Sequence, residues 1–366
     1  MSFDPDARLA EIDAFLAAAG WGDADIRPLG QDASTRRYFR LQRPDGMSAI
    51  LMDAPGVEDP PCPPDADEAT RLTMGWNAKT RLAASRVDAF VAVAGELNRR
   101  GLSAPQILAA DPEAGFAIIE DFGEGREFAR LIERGAADEI ELYVGAAELL
   151  ADLHSAPPPE AARGHGQVWP ILDFDALALK SNADQFADWM PKHDARMRWG
   201  EAAAERWSEE RDNLITQALA RPRVFTLRDY HAENLIWLPE RSGKARIGLL
   251  DFQDAVRGWA AWDMSMLVQD ARRAVSPEAR EAAMAAYCAA SGKAREDLEA
   301  ELAIVGTLNA LRIAGVFARL IETGKPRYGE FLPRQLSILA RNLSHPAVAG
   351  MADLVRETGP HLVEAA

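Results

Sequence analysis

Cysteine is nearly absent from this chain. Cys62 and Cys288 are its only two in 366 residues, far apart and without His or Cys neighbours at metal spacing. That argues against a structural zinc site and against a disulfide framework. Positive charge is also scarce: 41 Lys and Arg stand against 57 Asp and Glu, for a net charge of −16, and no lysine occurs before Lys79. A surface of that sign repels nucleic acid and anionic membranes, so neither is an expected partner. No long uninterrupted apolar run is present. The most apolar stretch, 302–321, is broken by Asn309, Arg312 and Arg319 and reads as a buried helix rather than a membrane span. Residues 1–6 lack the basic start and apolar run of a secretory signal, which makes the cytoplasm the expected location.

What is present reads as a soluble globular chain, 48% hydrophobic and 27% charged. Its length exceeds what one compact core usually covers, so two lobes are expected. Apolar residues at helical spacing predict a helix over 5–19, closed by Gly20. Strands are predicted over 26–29, 38–41 and 48–53, with a polar turn over 30–36, and strands over 106–109 and 115–120 complete a five-stranded sheet. A helix over 87–100 lies between them; its Glu96 reads as a surface residue. The segment 54–85 opens with Pro55, Pro60, Pro61, Pro63 and Pro64 and reads as an irregular insertion, a flap whose Arg71, Lys79 and Arg81 are solvated. Residues 118–123 read as a hinge, with Gly123 and Gly125 letting the backbone turn. The expected division is an N-terminal nucleotide-binding lobe, 1–122, and a helical lobe, 123–366, carrying the catalytic loop and acceptor site. His154, near the end of a helix over 137–154, and most aromatics between Trp169 and Trp199 read as packing.

The chemistry concentrates in two segments, Leu227-Arg228-Asp229-Tyr230-His231-Ala232-Glu233-Asn234 and Leu249-Leu250-Asp251-Phe252-Gln253-Asp254. Phosphoryl transfer from ATP needs a carboxylate beside the attacking hydroxyl and oxygen ligands for the magnesium that bridges the phosphates. A D-x-x-x-x-N loop lets Asp229 face the acceptor while Asn234 faces the metal. The apolar runs 235–238 and 247–250, separated by a polar stretch, predict a β-hairpin that returns Asp251 beside Asn234 as the second metal ligand. Asp263 is expected to brace the catalytic loop from behind. Arg228 and His231 are supporting residues, His231 orienting the loop, and Asp254 either anchors the site or touches substrate. On the nucleotide side, the turn holding Gln31, Ser34, Thr35 and Arg36, with Arg37 beside it, is expected to cradle phosphates, and the hinge at Glu120 and Phe122 to meet adenine through its backbone.

At these residues the chain resembles the aminoglycoside phosphotransferase and choline kinase group of small-molecule kinases. That group's catalytic loop reads H-G-D-x-H-x-x-N and its metal loop I-D-x-x-D-x-x-x-G; here stand Asp229, His231 and Asn234, then Asp251, Asp254, Gly258 and the pair Trp262-Asp263. Within the group it is most similar to the bacterial anomeric sugar kinases of cell-wall recycling, which act on N-acetylmuramate and N-acetylglucosamine. The segments Gly30 to Arg40, Ile118-Ile119-Glu120-Asp121-Phe122-Gly123 and Leu250 to Ala255 carry this narrower likeness. The resemblance implies an α+β, two-lobed protein-kinase-like fold, ATP and magnesium as cofactors, and an amino-sugar acceptor phosphorylated at C1; the oligomeric state stays open, with a monomer favoured. Two departures stand out. Leu227 replaces the usual His, and Met52 occupies the strand position where such kinases carry a phosphate-binding Lys, leaving Arg36 and Arg37 as candidate substitutes. Other acceptors (aminoglycoside, choline, fructosamine, homoserine) and a non-catalytic binding module stay open at this point; a protein kinase is disfavoured by the lack of a G-x-G-x-x-G loop and an A-P-E segment. A cationic acceptor would need an acidic cluster in the helical lobe, whereas an N-acetylmuramate site should present Arg near the lactyl carboxylate.

Overall fold

The computed structural model describes residues 5–29, 36–56 and 60–363. Helix α1 (Pro5–Ala18) precedes strands β1 (Asp25–Pro28), β2 (Arg37–Gln42) and β3 (Ser48–Asp53). Two short helices, α2 (Glu68–Met74) and α3 (Trp76–Thr80), lead into α4 (Val87–Arg99), and β4 (Ile107–Asp111) and β5 (Phe116–Glu120) follow. The five strands form one antiparallel sheet in the order β1-β2-β3-β5-β4. Strand alternation sorts β3 between two apolar layers. Ala49 and Leu51 pack with Ile12 and Leu16 of α1, while Ile50 and Met52 join Phe90 and Leu97 of α4 in the larger core.

Beyond Glu120 helices dominate: α5 (Phe128–Glu133), α6 (Glu139–Ser155), α7 (Ala176–His193), α8 (Glu201–Leu219), α9 (Ala260–Val268), α10 (Pro277–Ser291), α11 (Arg295–Glu322), α12 (Leu332–Leu343) and α13 (Ala349–Thr358). A hairpin of β6 (Ala161–Gly164) and β7 (Gln167–Pro170), absent from the sequence reading, packs on α4. Helices α6, α7 and α10 begin at side-chain caps, Asp138, Asp175 and Ser276, whose oxygens accept from a backbone N–H three residues on. Helix α11 is long and apolar enough to cross a membrane by composition, yet 67% of its most apolar stretch is buried in the protein. Gly315 is why it packs so tightly: the α7 backbone at Gln185 leaves no room for a Cβ there. Phe186 and Trp207 stack, Trp199 meets both edge-on, and Phe186 and Trp207 are buried.

The segment 54–85 differs from the expected irregular flap. It forms α2 and α3 and packs on α7. Arg71 is buried rather than solvated: Nη2 donates to Asp175 Oδ1 at 3.0 Å, and Nε to the Ala78 carbonyl at 3.1 Å. The prolines are confined to the first part of the segment, and the apolar and cationic residues that follow find partners only once α7 is in place.

Candidate active site

Two small antiparallel pairs present the two chemical loops. Strand β8 (Val224–Thr226) pairs with β11 (Val256–Gly258), and β9 (Leu235–Trp237) pairs with β10 (Ile247–Leu249), Leu235 opposite Leu249. The latter is the hairpin expected from its apolar runs. Its closing contact, Leu250 N–H to the Asn234 carbonyl at 3.0 Å, sets Asp251 beside Asn234.

The loop 227–234 is held from three sides. Beneath it, both oxygens of the Asp263 carboxylate accept backbone N–H bonds, Oδ2 from Leu227 and Oδ1 from Arg228, each at 2.8 Å. His154 Nε2 lies 3.4 Å from the same carboxylate, and its Nδ1 is 3.1 Å from the Tyr287 hydroxyl. His154 is therefore packing, as read, but packing with a purpose: it backs the residue that braces the loop. The Trp262 indole donates to the Arg228 carbonyl at 3.2 Å, and the Tyr230 hydroxyl to the Ala146 carbonyl at 2.9 Å. These contacts hold Arg228, immediately before Asp229, at φ +76°, a strained backbone conformation; Asp251, at φ +56°, is strained likewise.

Asn234 Nδ2 donates to the Asp229 carbonyl at 2.9 Å, so Oδ1 is the atom it has left to offer a cation. With the Asp251 carboxylate this makes a hard oxygen set, the kind magnesium uses when phosphates and water complete its shell. The donor set fits the ion. His231 lies under the same turn, with Asn234 Nδ2 and Arg272 Nη1 both 3.3 Å from its Nε2. Burial lowers its pKa to about 4, so the ring is neutral and accepts at Nε2. Burial and the charge of Asp251 raise the Asp229 pKa above the ordinary carboxylate value, while Arg312, Arg228 and Arg272 pull it back.

The adjacent arginines diverge. Arg36 Nη2 donates to Asp251 Oδ1 at 3.0 Å. Arg37 turns to the other face of the sheet and clasps the fully buried Asp53, Nε to Oδ2 at 2.8 Å, where Arg8 of α1 also binds. Of the two proposed phosphate ligands, Arg36 faces the chemistry and Arg37 does not; Arg37 holds the sheet together. Met52 is fully buried in the core. Glu96 is also buried, not at the surface, and pairs with Arg99 and Arg100 of its own helix. At the hinge, the Glu120 N–H donates to the Gln106 carbonyl at 2.8 Å and its side chain pairs with Arg241. Phe122 packs on Ile236 and Leu238. Gln31, Ser34 and Thr35 lie outside the described residues.

Several site residues escaped the sequence reading. The end of the insertion is one. Arg228 Nη1 donates to the Thr80 and Arg81 carbonyls, both at 3.1 Å, and Asp254 Oδ1 accepts from the Ala83 N–H at 2.6 Å. Burial drives the Asp254 pKa up to about 6 against the opposing charge of Arg228. Arg272 and Arg312 are the others. The one signal for Arg312 was a cation interrupting an otherwise apolar helix.

Comparison with known proteins identifies the family and the fold. The profile of a phosphotransferase enzyme family matches residues 25–300. The chain is 50% identical to an N-acetylmuramate/N-acetylglucosamine kinase of Caulobacter vibrioides, with 92% of each chain covered, and 32% identical to one from Pseudomonas aeruginosa, with 96% of each covered. Among solved structures, a choline/ethanolamine kinase family protein from Mesorhizobium loti matches 95% of this chain and 99% of its own at a TM-score of 0.56 and 18% identity. Amicoumacin kinase matches 93% and 96% at 0.54 and 14%. The fold is thus that of the small-molecule kinases, and the chain belongs to the phosphotransferase enzyme family.

Proposed function

We propose that this protein transfers the γ-phosphoryl group of ATP to the anomeric C1 hydroxyl of N-acetylmuramate and N-acetylglucosamine, as a cytoplasmic monomer. The observation that carries the reading is the 50% identity, across 92% of the chain, to a kinase named for both sugars. The loop geometry supports the reaction type. In this reading the sheet-bearing part, 1–122, takes the nucleotide, and the helical part, 123–366, takes the sugar.

Asp229 orients the acceptor hydroxyl and accepts its proton as the bond to phosphorus forms. Burial and Asp251 raise its pKa, which makes it a better base than an ordinary aspartate, while the charges of Arg312, Arg228 and Arg272 act in the opposite direction. Asn234 and Asp251 hold magnesium, which when bound neutralises the charge on the phosphates. Arg36, beside Asp251, takes the place of the missing strand lysine on phosphate oxygens; its planar fork suits them. Burial works against its charge, yet Tyr38, Asp251 and Asp254 hold its pKa above the ordinary arginine value. Alignment and charge neutralisation supply most of the rate in such reactions, so rigidity of the loop matters as much as the base. Asp263 and His154 provide it. The cations around Asp229 weigh against choline or an aminoglycoside as acceptor, since a positively charged substrate would meet Arg272 and Arg312.

The test is mass spectrometry of products after incubation with magnesium-ATP and mixed amino sugars, with a phosphorus NMR spectrum separating C1 from C6 phosphate. A C1 phosphate of either sugar is expected. A C6 product removes the regiochemistry, phosphorylation of a cationic acceptor alone removes the sugar, and nucleotide binding without any product leaves a binding module.

A further inference from the structure

Helix α11 is buried along most of its length, and from its middle a single charged side chain points toward the catalytic loop. Arg312 Nε donates to Asn309 Oδ1 at 3.0 Å, and Asn309 Nδ2 in turn donates to Ser265 Oγ at 3.2 Å. The guanidinium carbon lies 5.5 Å from the centre of the Trp262 ring. That indole also holds the Arg228 carbonyl, one residue before Asp229. Arg312 is thus fixed at one end by Asn309 and laid on the aromatic ring that anchors the catalytic loop.

Arg312 is half-buried and its terminal nitrogens are not enclosed, so the guanidinium is open to a carboxylate. Arg312 has none within ion-pair distance among the described residues, and neither terminal nitrogen has a hydrogen bond there, although Asp229 is near enough to be felt. The other cations near Asp229 have partners, although Arg272 keeps Nη2 without a hydrogen bond among the described residues. Arg228 is committed to the Thr80 and Arg81 carbonyls, and Arg272 to His231 and, at 3.5 Å, to Glu233. On the nucleotide side the cation is Arg36, reaching from the sheet to Asp251. Arg312 reaches from the helical part, to which the reading above assigns the sugar. Burial lowers its pKa only to about 10, so it remains charged at neutral pH. The fold keeps a cation beside the catalytic base, with Asp229 the only carboxylate near enough to act on its charge, and leaves its terminal nitrogens without a hydrogen bond among the described residues.

Resting on the amino-sugar reading above, we infer that Arg312, with Arg272 beside it, binds a carboxylate carried by the acceptor. Of the two sugars, N-acetylmuramate bears one and N-acetylglucosamine does not. Arg312 therefore separates the two substrates, strengthening binding of the acid while leaving the neutral sugar to the rest of the site.

Steady-state kinetics on both sugars test this. Arg312→Gln is expected to raise KM for N-acetylmuramate relative to KM for N-acetylglucosamine roughly 10- to 100-fold, the worth of a charge-assisted hydrogen-bond pair, while any change in kcat through the charge near Asp229 falls on both sugars alike. Arg312→Lys should recover part of the loss, and Arg272→Gln should shift the preference the same way by less. A change on the substrate avoids any question of folding: the wild-type enzyme should handle the methyl ester of N-acetylmuramate as poorly as Arg312→Gln handles the acid. An ester as good as the acid, or an Arg312→Gln enzyme whose KM ratio between the two sugars stays that of the wild type, overturns the assignment alone. A wild-type enzyme that phosphorylates neither sugar overturns the functional reading and this assignment with it.

Discussion

Arg36 donates to Asp251 from 215 residues away, Nη2 to Oδ1 at 3.0 Å, and so ties the edge of the sheet to the metal loop. Its neighbour Arg37 is spent on Asp53, which is fully buried. Successive strand residues point to opposite faces, so one of the pair serves the cleft and the other the α1 side of the sheet. Substitution should separate the two. Arg36→Gln should raise KM for ATP at least about tenfold with little change in thermal midpoint. Arg37→Gln should leave KM for ATP near wild type and lower stability by about 2 kcal/mol, since Arg8 remains on Asp53. Denaturant unfolding and ATP titrations on both variants decide it; the reverse pattern removes Arg36 from phosphate binding.

Asp229→Asn should reduce turnover at least about 1000-fold. Stability should hold, because burial and Asp251 already disfavour the charge that the substitution removes. Thermal midpoints within about 3 °C and unchanged magnesium-ATP binding are expected. A variant with most of its turnover intact would take Asp229 out of the reaction.

Asp263 is a different kind of aspartate. Truncation to Ala strands the N–H groups of Leu227 and Arg228 in the interior, where each unsatisfied donor costs about 1–3 kcal/mol. Asp263→Ala should therefore lower both stability and kcat, while His154→Gln, which keeps a donor near the carboxylate, should be milder on both. Unfolding curves beside kcat measurements would expose any uncoupling.

The clamp from Arg228 to the Thr80 and Arg81 carbonyls makes the insertion part of the site. Arg228→Met should free its end. Faster limited proteolysis within 60–85, together with lower kcat, is the expected outcome. Unaltered cleavage would show that the Arg71 contacts to Asp175 suffice to hold the segment.

Asp254 sets a pH dependence. Its folded pKa is about 6 against an ordinary 3.8, so between those values the folded protein keeps a proton that the unfolded chain has lost. The Asp254 contribution to stability is then greatest at low pH, falls as pH rises through that window and levels above it. Asp254→Asn keeps an oxygen for the Ala83 N–H and removes the charge. Without nucleotide or metal it should be more stable than wild type by up to about 3 kcal/mol at pH 8, and by roughly half that at pH 5. Urea unfolding at the two pH values measures the difference; an advantage independent of pH would mean that Asp254 titrates normally.

Much of this could be read before any coordinates. Asp229 and Asn234 share one loop, and a hairpin of two short apolar runs can only bring its far end back to its near end, so Asp251 beside Asn234 was written in local spacing. The five strands followed from alternation and turn residues. Other features had no local signature. Alternation says that Arg36 and Arg37 point apart, but which of them faces the cleft depends on the side that α1 covers. The insertion looked irregular because Arg71 gains order only from Asp175, and Glu96 looked exposed because its burial comes from the elements packed around α4.

By itself, then, the sequence determined the chemistry of the loops, because hydrogen bonds between near neighbours dictate the shape of a tight turn. The tertiary structure decided what surrounds Asp229. Arg312, Arg272 and the end of the insertion reach it only through helices and loops packed from distant parts of the chain, and packing of that kind is settled by the whole core at once.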